Sequence, residues 1–285
     1  MNKIIDYMLK TKEIIKENEI AKLLKGKKIE IPEDEYQYTY IFGDLHGCFY
    51  TFEKLLEKIP DEKHIILLGD IFEKGENSIK TLKFIQELVK SNPNTHLIIG
   101  NHELRFMGHA INAIFKLDDN HQNIWYVKSV QNDDVELLTY FKKYPQELID
   151  TIKFFFEYGV HYIEINDKFF ISHGYALPFY EKKDIDEYKI DIIKNRNFDL
   201  PLPESVKKKG LINIFGHVKN QFVEATEHFI DIDTGAYADN ALTAINLKML
   251  RPVQMETDKR DILVFDEKEK EEFYKLFEEV ENETK

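Results

Sequence analysis

The sequence has few features that would cross-link it or anchor it to a membrane. It contains one cysteine, Cys48, among 285 residues, so it cannot form an internal disulfide and a reducing compartment is its natural location. No apolar run approaches the ~20 residues that a membrane helix requires. The first 28 residues are charged throughout, unlike a signal peptide. We therefore expect a soluble, cytoplasmic protein that is stabilised by its packed core.

Positively charged residues are outnumbered by negatively charged ones. The chain carries 39 Lys and Arg against 52 Asp and Glu, a formal net charge of −13. Nucleic acids and anionic membranes are bound chiefly through Lys and Arg, so we expect neither as a partner. The net charge does not exclude a local basic pocket. The apolar fraction of 43% is sufficient for a buried core. The sequence does not fix the oligomeric state.

Linkers, internal repeats and low-complexity tracts are absent, which predicts one main domain over residues 31–265. Residues 1–30 show apolar residues at helical spacing and predict an amphipathic N-terminal helix that lies on the body. A helix bound to a membrane surface is the alternative, but the segment is only weakly basic. Residues 266–285 predict an acidic C-terminal helix whose charges face solvent.

Strand and helix signals alternate in the first half of the main domain. Short apolar runs at 38–42, 64–68 and 96–99 are followed by helical patterns at 50–59, 77–90 and 102–116, which predicts a parallel sheet with right-handed crossovers. After residue 158 hairpin patterns dominate, including the turn pair Asn166 and Asp167, and predict a second, mixed or antiparallel sheet packed on the first. The fold class is therefore α/β with mixed sheets. A helical cap insertion is expected at about 105–157.

Five short blocks place a metal-ligand side chain at the downstream end of a predicted strand. They are GDLHG with Asp44 and His46, GDIFEKG with Asp70, GNHE with Asn101 and His102, SHG with His173, and FGH with His217. Singly, each block is an ordinary turn sequence. Together, the loops beyond the carboxyl ends of strands converge on one crevice. The mixed nitrogen and oxygen set suits two adjacent ions such as Mn, Fe, Zn, Co or Ni, bridged by the Asp70 carboxylate, and does not suit Ca²⁺.

The order and content of these blocks resemble the calcineurin-like metallophosphoesterases, in the phosphoprotein phosphatase branch. Within that branch the sequence is most similar to phage-type and bacterial serine/threonine phosphatases and to symmetrical diadenosine-tetraphosphate hydrolases. Further support comes from GDLHGC, from IIKNRN, and from IFGH followed by IDTGAY and LTAINL. The resemblance covers about residues 38–250 and implies a four-layer αββα sandwich.

The resemblance also implies a ligand set and a mechanism. The first ion would be held by Asp44, His46 and Asp70, and the second by Asp70, Asn101, His173 and His217. Manganese is the first candidate for both ions. A hydroxide bridging the two ions, roughly 3.5–4 Å apart, would attack phosphorus in line without a covalent enzyme intermediate. His102 would then protonate the departing oxygen.

Three positions depart from the family pattern. Glu73 stands where the family has an aspartate that orients the catalytic histidine, so the contact with His102 is expected with altered geometry; a solvated loop acid is the alternative. Lys74 replaces an arginine and offers a point charge instead of a fork. Ile99 also stands where the family often has an arginine. Arg196 is therefore the best candidate for a phosphate clamp and Lys74 the second, with a surface role as the alternative for Arg196. The sequence leaves open whether Arg105 faces the site or water.

These residues predict a metal-dependent phosphoesterase, with a serine/threonine protein phosphatase as the first choice. The alternative is a hydrolase of dinucleoside polyphosphates such as diadenosine tetraphosphate, or of other nucleotides, because the same centre serves both reactions. A third reading is a phosphate-binding scaffold that has lost turnover. The expected partner is a phosphoprotein or a small phosphoester.

Overall fold

Two mixed six-stranded sheets form the centre of the protein in the computed structural model, which describes residues 15–59, 64–115, 135–176, 185–197, 204 and 210–263. The strands are β1 (Lys27–Ile29), β2 (Thr39–Phe42), β3 (His64–Leu67), β4 (Thr95–Ile98), β5 (Gly159–Val160), β6 (Tyr162–Ile165), β7 (Phe169–Ser172), β8 (Ile212–Phe215), β9 (Glu224–Ala225), β10 (Phe229–Asp231), β11 (Ala241–Asn246) and β12 (Pro252–Glu256). The first sheet has the order β12-β11-β2-β3-β4-β5, and the second has the order β1-β6-β7-β8-β10-β9.

Helices lie along the chain between these strands. They are α1 (Glu17–Leu23), α2 (Phe49–Lys58), α3 (Ser78–Ser91), α4 (Asn101–Phe115), α5 (Val135–Lys143), α6 (Pro145–Tyr158) and α7 (Ile185–Lys194). Strands β2, β3 and β4 pair in parallel, with α2 and α3 as the connections between them. The predicted alternation of strands and helices in this part of the chain is confirmed.

Alternation along each central strand divides the core into layers. Ile41, Ile66 and Ile98 pack between the two sheets, whereas the neighbouring Phe42 and Leu67 pack on the other face of the first sheet, with the helices. Successive side chains of a strand point to opposite faces, so strands that are buried on both faces read as continuous apolar runs. This arrangement fixes the first sheet between a helical layer and the second sheet, which agrees with the sandwich fold expected from the sequence.

The second half of the chain contributes to both sheets. Strands β6 and β7 form the expected antiparallel hairpin, and Asn166 and Asp167 in its turn both adopt φ of 50°. Strands β11 and β12, however, join the first sheet, with Ala244 opposite Phe42. All six residues of β11 are buried. A strand buried on both faces carries no alternation that would assign it to one sheet, so its sequence does not reveal its neighbours.

The N-terminal segment differs from the helix expected over residues 1–30. Among the described residues, helix α1 ends at Leu23, and Lys27–Ile29 form a strand that pairs in parallel with β6. Gly26 lies between them, and a Cβ at this position would come within 2.1 Å of the Tyr162 ring. The backbone is already extended at Leu24, and glycine at position 26 permits this close approach. The C-terminal helix expected over 266–285 lies outside the described residues.

The helices between 105 and 157 pack on the helical face of the first sheet, and Phe106, Phe141 and Phe155 meet there in one cluster with Phe72. Cys48 is fully buried, and burial raises the pKa of its thiol well above the usual range, as expected of a structural residue. Within the described ranges, every helix is too short or too polar to cross a bilayer.

Candidate metal centre

The predicted ligands lie at the carboxyl ends of five strands. Asp44, Asp70 and Asn101 follow the parallel strands β2, β3 and β4 of the first sheet. His173 and His217 follow β7 and β8, which pair in parallel in the second sheet. Because parallel strands end at the same edge, each sheet presents its ligands together. The two edges meet, so the structure brings all five side chains, with His46 two residues after Asp44, into one buried cleft.

The backbone at these strand ends adopts uncommon conformations. His46, Asp70 and His217 have φ of 43°, 46° and 69°, in the left-handed region that side chains rarely adopt. Gly216 allows the close approach of Asp44, because a Cβ there would lie 2.3 Å from Asp44 Oδ1. Such conformations cost about 1–3 kcal/mol each and cluster where function requires a fixed side-chain direction.

The side chains form two groups that share Asp70. One group contains His46, Asp70 and His102, and the other contains Asp70, His173 and His217, with ligand atoms within 4.8 Å of one another in each. Asp70 Oδ2 lies 3.5 Å from His46 Nε2 and 3.4 Å from His173 Nε2. These spacings leave room for a cation between the atoms, and a carboxylate in both groups has the position that a bridging ligand needs.

The remaining predicted ligands, Asn101 and Asp44, lie beside the two groups. Asn101 Oδ1 lies 3.0 Å from His173 Nε2. Asp44 Oδ2 lies 4.0 Å from His46 Nε2, and the Asp44 carboxylate accepts the backbone N–H of His217 at 3.2 Å. The first group also includes His102, which the sequence assigns to proton donation.

Backbone carbonyls orient two of the imidazoles. His46 Nδ1 lies 3.2 Å from the carbonyl of Phe72, and His173 Nδ1 lies 2.8 Å from the carbonyl of Leu68. A ring whose Nδ1–H donates to a carbonyl keeps Nε2 as the free lone pair, which is the atom that faces Asp70 in both residues. The second contact of each ring therefore favours metal coordination through Nε2.

The electrostatics of the cleft also fit divalent cations. Burial, with the nearby carboxylates of Asp233 and Asp70, raises the pKa of Asp44 well above its usual range. Burial opposes the charge of Asp70, but the imidazoles of His102 and His173 hold its pKa well below the usual value. Buried carboxylates in this number need positive charge nearby. Two divalent ions would supply it, and the donor set of imidazole, carboxylate and amide oxygen matches transition metals.

His102, Glu73 and Arg105 form a cluster on one side of the centre. His102 Nδ1 is in contact with Glu73 Oε2, as expected from the sequence despite the longer side chain. Arg105 Nη2 donates to the same Glu73 oxygen and lies 2.8 Å from His102 Nδ1. The question left open for Arg105 is thereby settled, because its guanidinium faces the site. Its signal in the sequence is its position three residues after His102, on the same helical face.

The two candidate phosphate-binding residues flank the centre. Lys74 Nζ lies 3.4 Å from His46 Nε2 and 4.4 Å from the centre of the Tyr237 ring. Arg196, in the loop after α7, donates from Nε to His217 Nε2 at 3.1 Å. Each cation thus borders one of the two ligand groups, Lys74 the first and Arg196 the second.

Sequence reasoning missed two buried acids. Glu103 is fully buried, and its carboxylate accepts the backbone N–H groups of Asp70, Ile71 and Gly100 at 2.8–2.9 Å. Burial and the charge of Asp70 raise the pKa of Glu103 to about 7. Asp233 is buried beyond β10 and accepts the backbone N–H of Gly235 at 3.0 Å. Its place in IDTGAY, directly after an apolar strand, is the signal that would have identified it.

Known proteins share both the sequence pattern and the architecture. The family model for calcineurin-like phosphoesterases matches residues 38–248. A symmetrical bis(5'-nucleosyl)-tetraphosphatase of Haemophilus ducreyi is 46% identical over 72 residues, which are 24% of this chain and 26% of that protein. The matched segment therefore spans about a quarter of the length of this curated relative.

Two solved structures have similar folds. A crystal structure provisionally assigned as a diadenosine tetraphosphatase has a TM-score of 0.54 at 16% identity, covering 82% of this chain and 99% of that chain. A serine/threonine phosphatase of Saccharomyces cerevisiae with similarity to human PP5 has a TM-score of 0.52 at 14% identity, covering 91% and 97%. At these identities the likeness shows a shared fold.

Proposed function

The chain belongs to the calcineurin-like phosphoesterase family, and from this premise we propose that it hydrolyses dinucleoside polyphosphates at a centre of two divalent cations. The observation that carries the proposal is the convergence of two ligand groups on one shared carboxylate, Asp70, in a buried cleft. Membership makes the protein a metal-dependent phosphoesterase. The identity of the metal, the substrate and the role of each residue are the proposal.

The six strand-end residues would divide between the two ions. Asp44, His46 and Asp70 would hold the first ion, and Asp70, Asn101, His173 and His217 the second. When bound, such a pair of ions withdraws charge from phosphoryl oxygens and lowers the pKa of coordinated water. Manganese is our first candidate, since the set mixes imidazoles with oxygen donors and contains no thiolate.

The chain's own residues would bind and orient the substrate. Arg196 and Lys74, which border the second and first ligand groups, would contact the phosphoryl oxygens from two sides. Arg196 can donate two parallel hydrogen bonds, whereas Lys74 acts as a point charge. His102 would protonate the departing oxygen, with Glu73 holding the ring by its Nδ1 so that Nε2 faces the reaction.

The substrate class is drawn from the relatives. The motif blocks alone favour phosphoserine or phosphothreonine, with dinucleoside polyphosphates as the alternative. The comparisons support the alternative more than that first choice, because the curated relative of Haemophilus ducreyi is a symmetrical tetraphosphatase. The phosphatase of Saccharomyces cerevisiae is similar in fold only. We therefore propose diadenosine tetraphosphate or a similar dinucleotide as the substrate.

A substrate panel tests this assignment. The Mn²⁺-loaded protein would be given diadenosine tetraphosphate, a set of phosphoserine and phosphothreonine peptides, and p-nitrophenyl phosphate, and kcat/KM would be measured for each. We expect the highest value for the dinucleotide, with ADP as the sole nucleotide product, since symmetrical cleavage of a tetraphosphate yields two diphosphates. A kcat/KM for a phosphopeptide far above that for the dinucleotide would instead support a serine/threonine protein phosphatase. Tight binding of two ions without any turnover would instead favour the scaffold.

A further inference from the structure

A cavity of about 340 Å³ lies between α1, α4 and α7, beside the centre described above. Its lining includes Lys16 at the start of α1, Glu17 on α1, Arg105 on α4 and Lys194 at the end of α7. Pockets that take small molecules measure roughly 300–1,000 Å³. The cavity is therefore large enough for a group of nucleotide size.

Arg105 connects this cavity with the reacting groups. Its Nη2 contacts Glu73 and lies 2.8 Å from His102 Nδ1, and the same side chain lines the cavity. In the proposed reaction His102 delivers a proton to the departing oxygen, so the leaving group lies on the side of His102. Arg105 therefore places the cavity beside His102 on the Nδ1 side of the ring, whereas Nε2 lies 3.7 Å from Asp70 Oδ2. A leaving group that extends past the edge of this ring would enter the cavity.

The charge of the lining favours an anion. The described lining carries three cations, Lys16, Arg105 and Lys194, and one carboxylate, Glu17, in a chain whose formal net charge is −13. Glu17 is paired with Lys194. The backbone N–H of Lys16 donates to the Glu19 carboxylate, and the Lys16 ammonium forms no ion pair among the described residues. Among the described residues, the hydrogen bonds of the Arg105 side chain all involve Nη2. The N–H groups of Nε and Nη1 can therefore donate to a ligand.

The remaining lining fits a nucleoside better than inorganic polyphosphate. Ile190, which is half-buried, and the small exposed part of Ile15 form the aliphatic part of the lining beside its cations. The Asn112 side chain is already engaged, since it accepts the N–H of Ile15 at 2.8 Å and donates to the carbonyls of Ile15 and Gly108. Recognition would therefore come from cations for phosphate and from aliphatic surface for the nucleoside.

Helix α1 forms one side of the cavity and lies outside the segment that the family model matches. Its residues Glu17–Leu23 precede the segment 38–248 that the family model matches. Ile20 and Leu24 are buried in the main core, so the segment is fixed to the body. The wall that carries Lys16 and Glu17 is thus built by residues outside the matched segment.

We propose that this cavity binds the leaving nucleoside diphosphate, an inference that rests on the proposed function. Symmetrical hydrolysis adds one water across the central P–O–P bridge of the tetraphosphate. One phosphorus gains the water oxygen, and the bridging oxygen leaves with the other diphosphate and takes up a proton. Lys16, Lys194 and the spare donors of Arg105 contact that leaving diphosphate, and Ile15 and Ile190 contact its nucleoside.

The test uses two lysines that lie outside the catalytic cluster. The Lys16→Gln/Lys194→Gln double variant is compared with Lys22→Gln/Lys248→Gln, which removes the same charge from exposed positions outside the cavity. The affinities of ADP and inorganic phosphate for the Mn²⁺-loaded full chain are measured by calorimetry, with kcat and KM for diadenosine tetraphosphate. We expect ADP affinity to fall roughly tenfold in the first variant only, with phosphate affinity unchanged and kcat/KM for the dinucleotide reduced by a similar factor.

Two results would overturn the cavity assignment. One is equal ADP affinity in the cavity variant and its control; the other is an equal loss for ADP and phosphate, which would locate the effect at the metals. Absence of dinucleotide turnover by the unmodified protein would overturn the proposed function instead. The ADP titration requires no turnover, so it decides the cavity by the same criteria in that case.

Discussion

The Glu103 carboxylate accepts the backbone N–H of Asp70 at 2.8 Å and thereby fixes the strand end that carries the shared ligand. The same carboxylate accepts the N–H groups of Ile71 and Gly100, so it joins the loops after β3 and β4. Because this position is fully buried, water cannot take over as the acceptor for the three N–H groups if the carboxylate is lost. Glu103 therefore supports the metal centre without being one of its predicted ligands.

Glu103→Gln is expected to weaken both the fold and the metal site. The amide presents one oxygen and one N–H₂ where two oxygens now accept, so at least one backbone donor loses its partner, at a cost of about 1–3 kcal/mol in the free energy of unfolding. Metal affinity should fall with it. Urea unfolding and metal titration measure the two effects against Glu87→Gln, an exposed glutamate of α3. Equal stability of the two variants would exclude this supporting role.

Asp70→Asn is expected to abolish hydrolysis. An amide has one oxygen and no charge, so it cannot serve as the bridge that the two ligand groups share. Metal analysis should show fewer than two bound ions, and kcat should fall to the background rate while the fold persists. Asp239→Asn, at an exposed turn with φ of 56°, is the matched control. Full activity of Asp70→Asn would refute the assignment of this residue.

His102→Asn should reveal proton donation through its dependence on the leaving group. An alkyl alcohol must be protonated as it departs, whereas p-nitrophenolate leaves without assistance. The loss in kcat should therefore be roughly 10²–10⁴-fold for an alkyl phosphate and much smaller for p-nitrophenyl phosphate. His228→Asn, a partly exposed histidine outside both ligand groups, is the control. A uniform loss across leaving groups would argue for a metal-binding role of His102 instead.

Metal binding is expected to release protons, chiefly from His173. Burial alone would lower the pKa of this imidazole, but Asp70 and Asp44 raise it to about 10 in the metal-free protein. His217, whose pKa burial lowers to about 3, is already neutral at pH 7. Because a ligand imidazole must be neutral, apparent affinity should rise by up to ~tenfold per pH unit from pH 7 towards pH 10. Calorimetry in two buffers of different ionisation enthalpy counts the protons; identical heats in both would contradict this expectation.

The convergence of the candidate ligands was predictable from sequence because they lie at or shortly after the ends of apolar strands. Asp70 after HIILLG and Asn101 after THLIIG are local signals, and parallel pairing brings such strand ends together. The contacts of Glu103 and Arg105 were not predictable in this way. Glu103 accepts a backbone N–H from the loop after β3, and Arg105 donates to Glu73, which lies 32 residues earlier in the sequence. These contacts depend on how α4 packs against the loop after β3.

Sheet membership was predictable only where one face is polar or a turn is specified. Asn166 and Asp167 fix the β6–β7 hairpin through their left-handed conformations. Strand β11 has no polar face and could have joined either sheet by its pattern. The short strand β1 lies in a segment whose apolar spacing indicates a helix, and pairing with β6 overrides that tendency.

The start of α2 depends on a residue more than 200 positions away, which leads to a final prediction. The Asp261 carboxylate accepts the backbone N–H of Tyr50 at 3.1 Å and of Thr51 at 2.6 Å, and these are donors that the first turn of a helix leaves without partners. Cys48 at the N-cap position supplies no side-chain cap. Asp261→Ala should therefore lower the free energy of unfolding by about 1–3 kcal/mol. Because α2 begins three residues after the candidate ligand His46, metal affinity should weaken as well. Asp167→Asn, at an exposed turn, serves as the control in thermal unfolding with and without Mn²⁺, and equal Tm values for both variants would show that Asp261 does not support the loop.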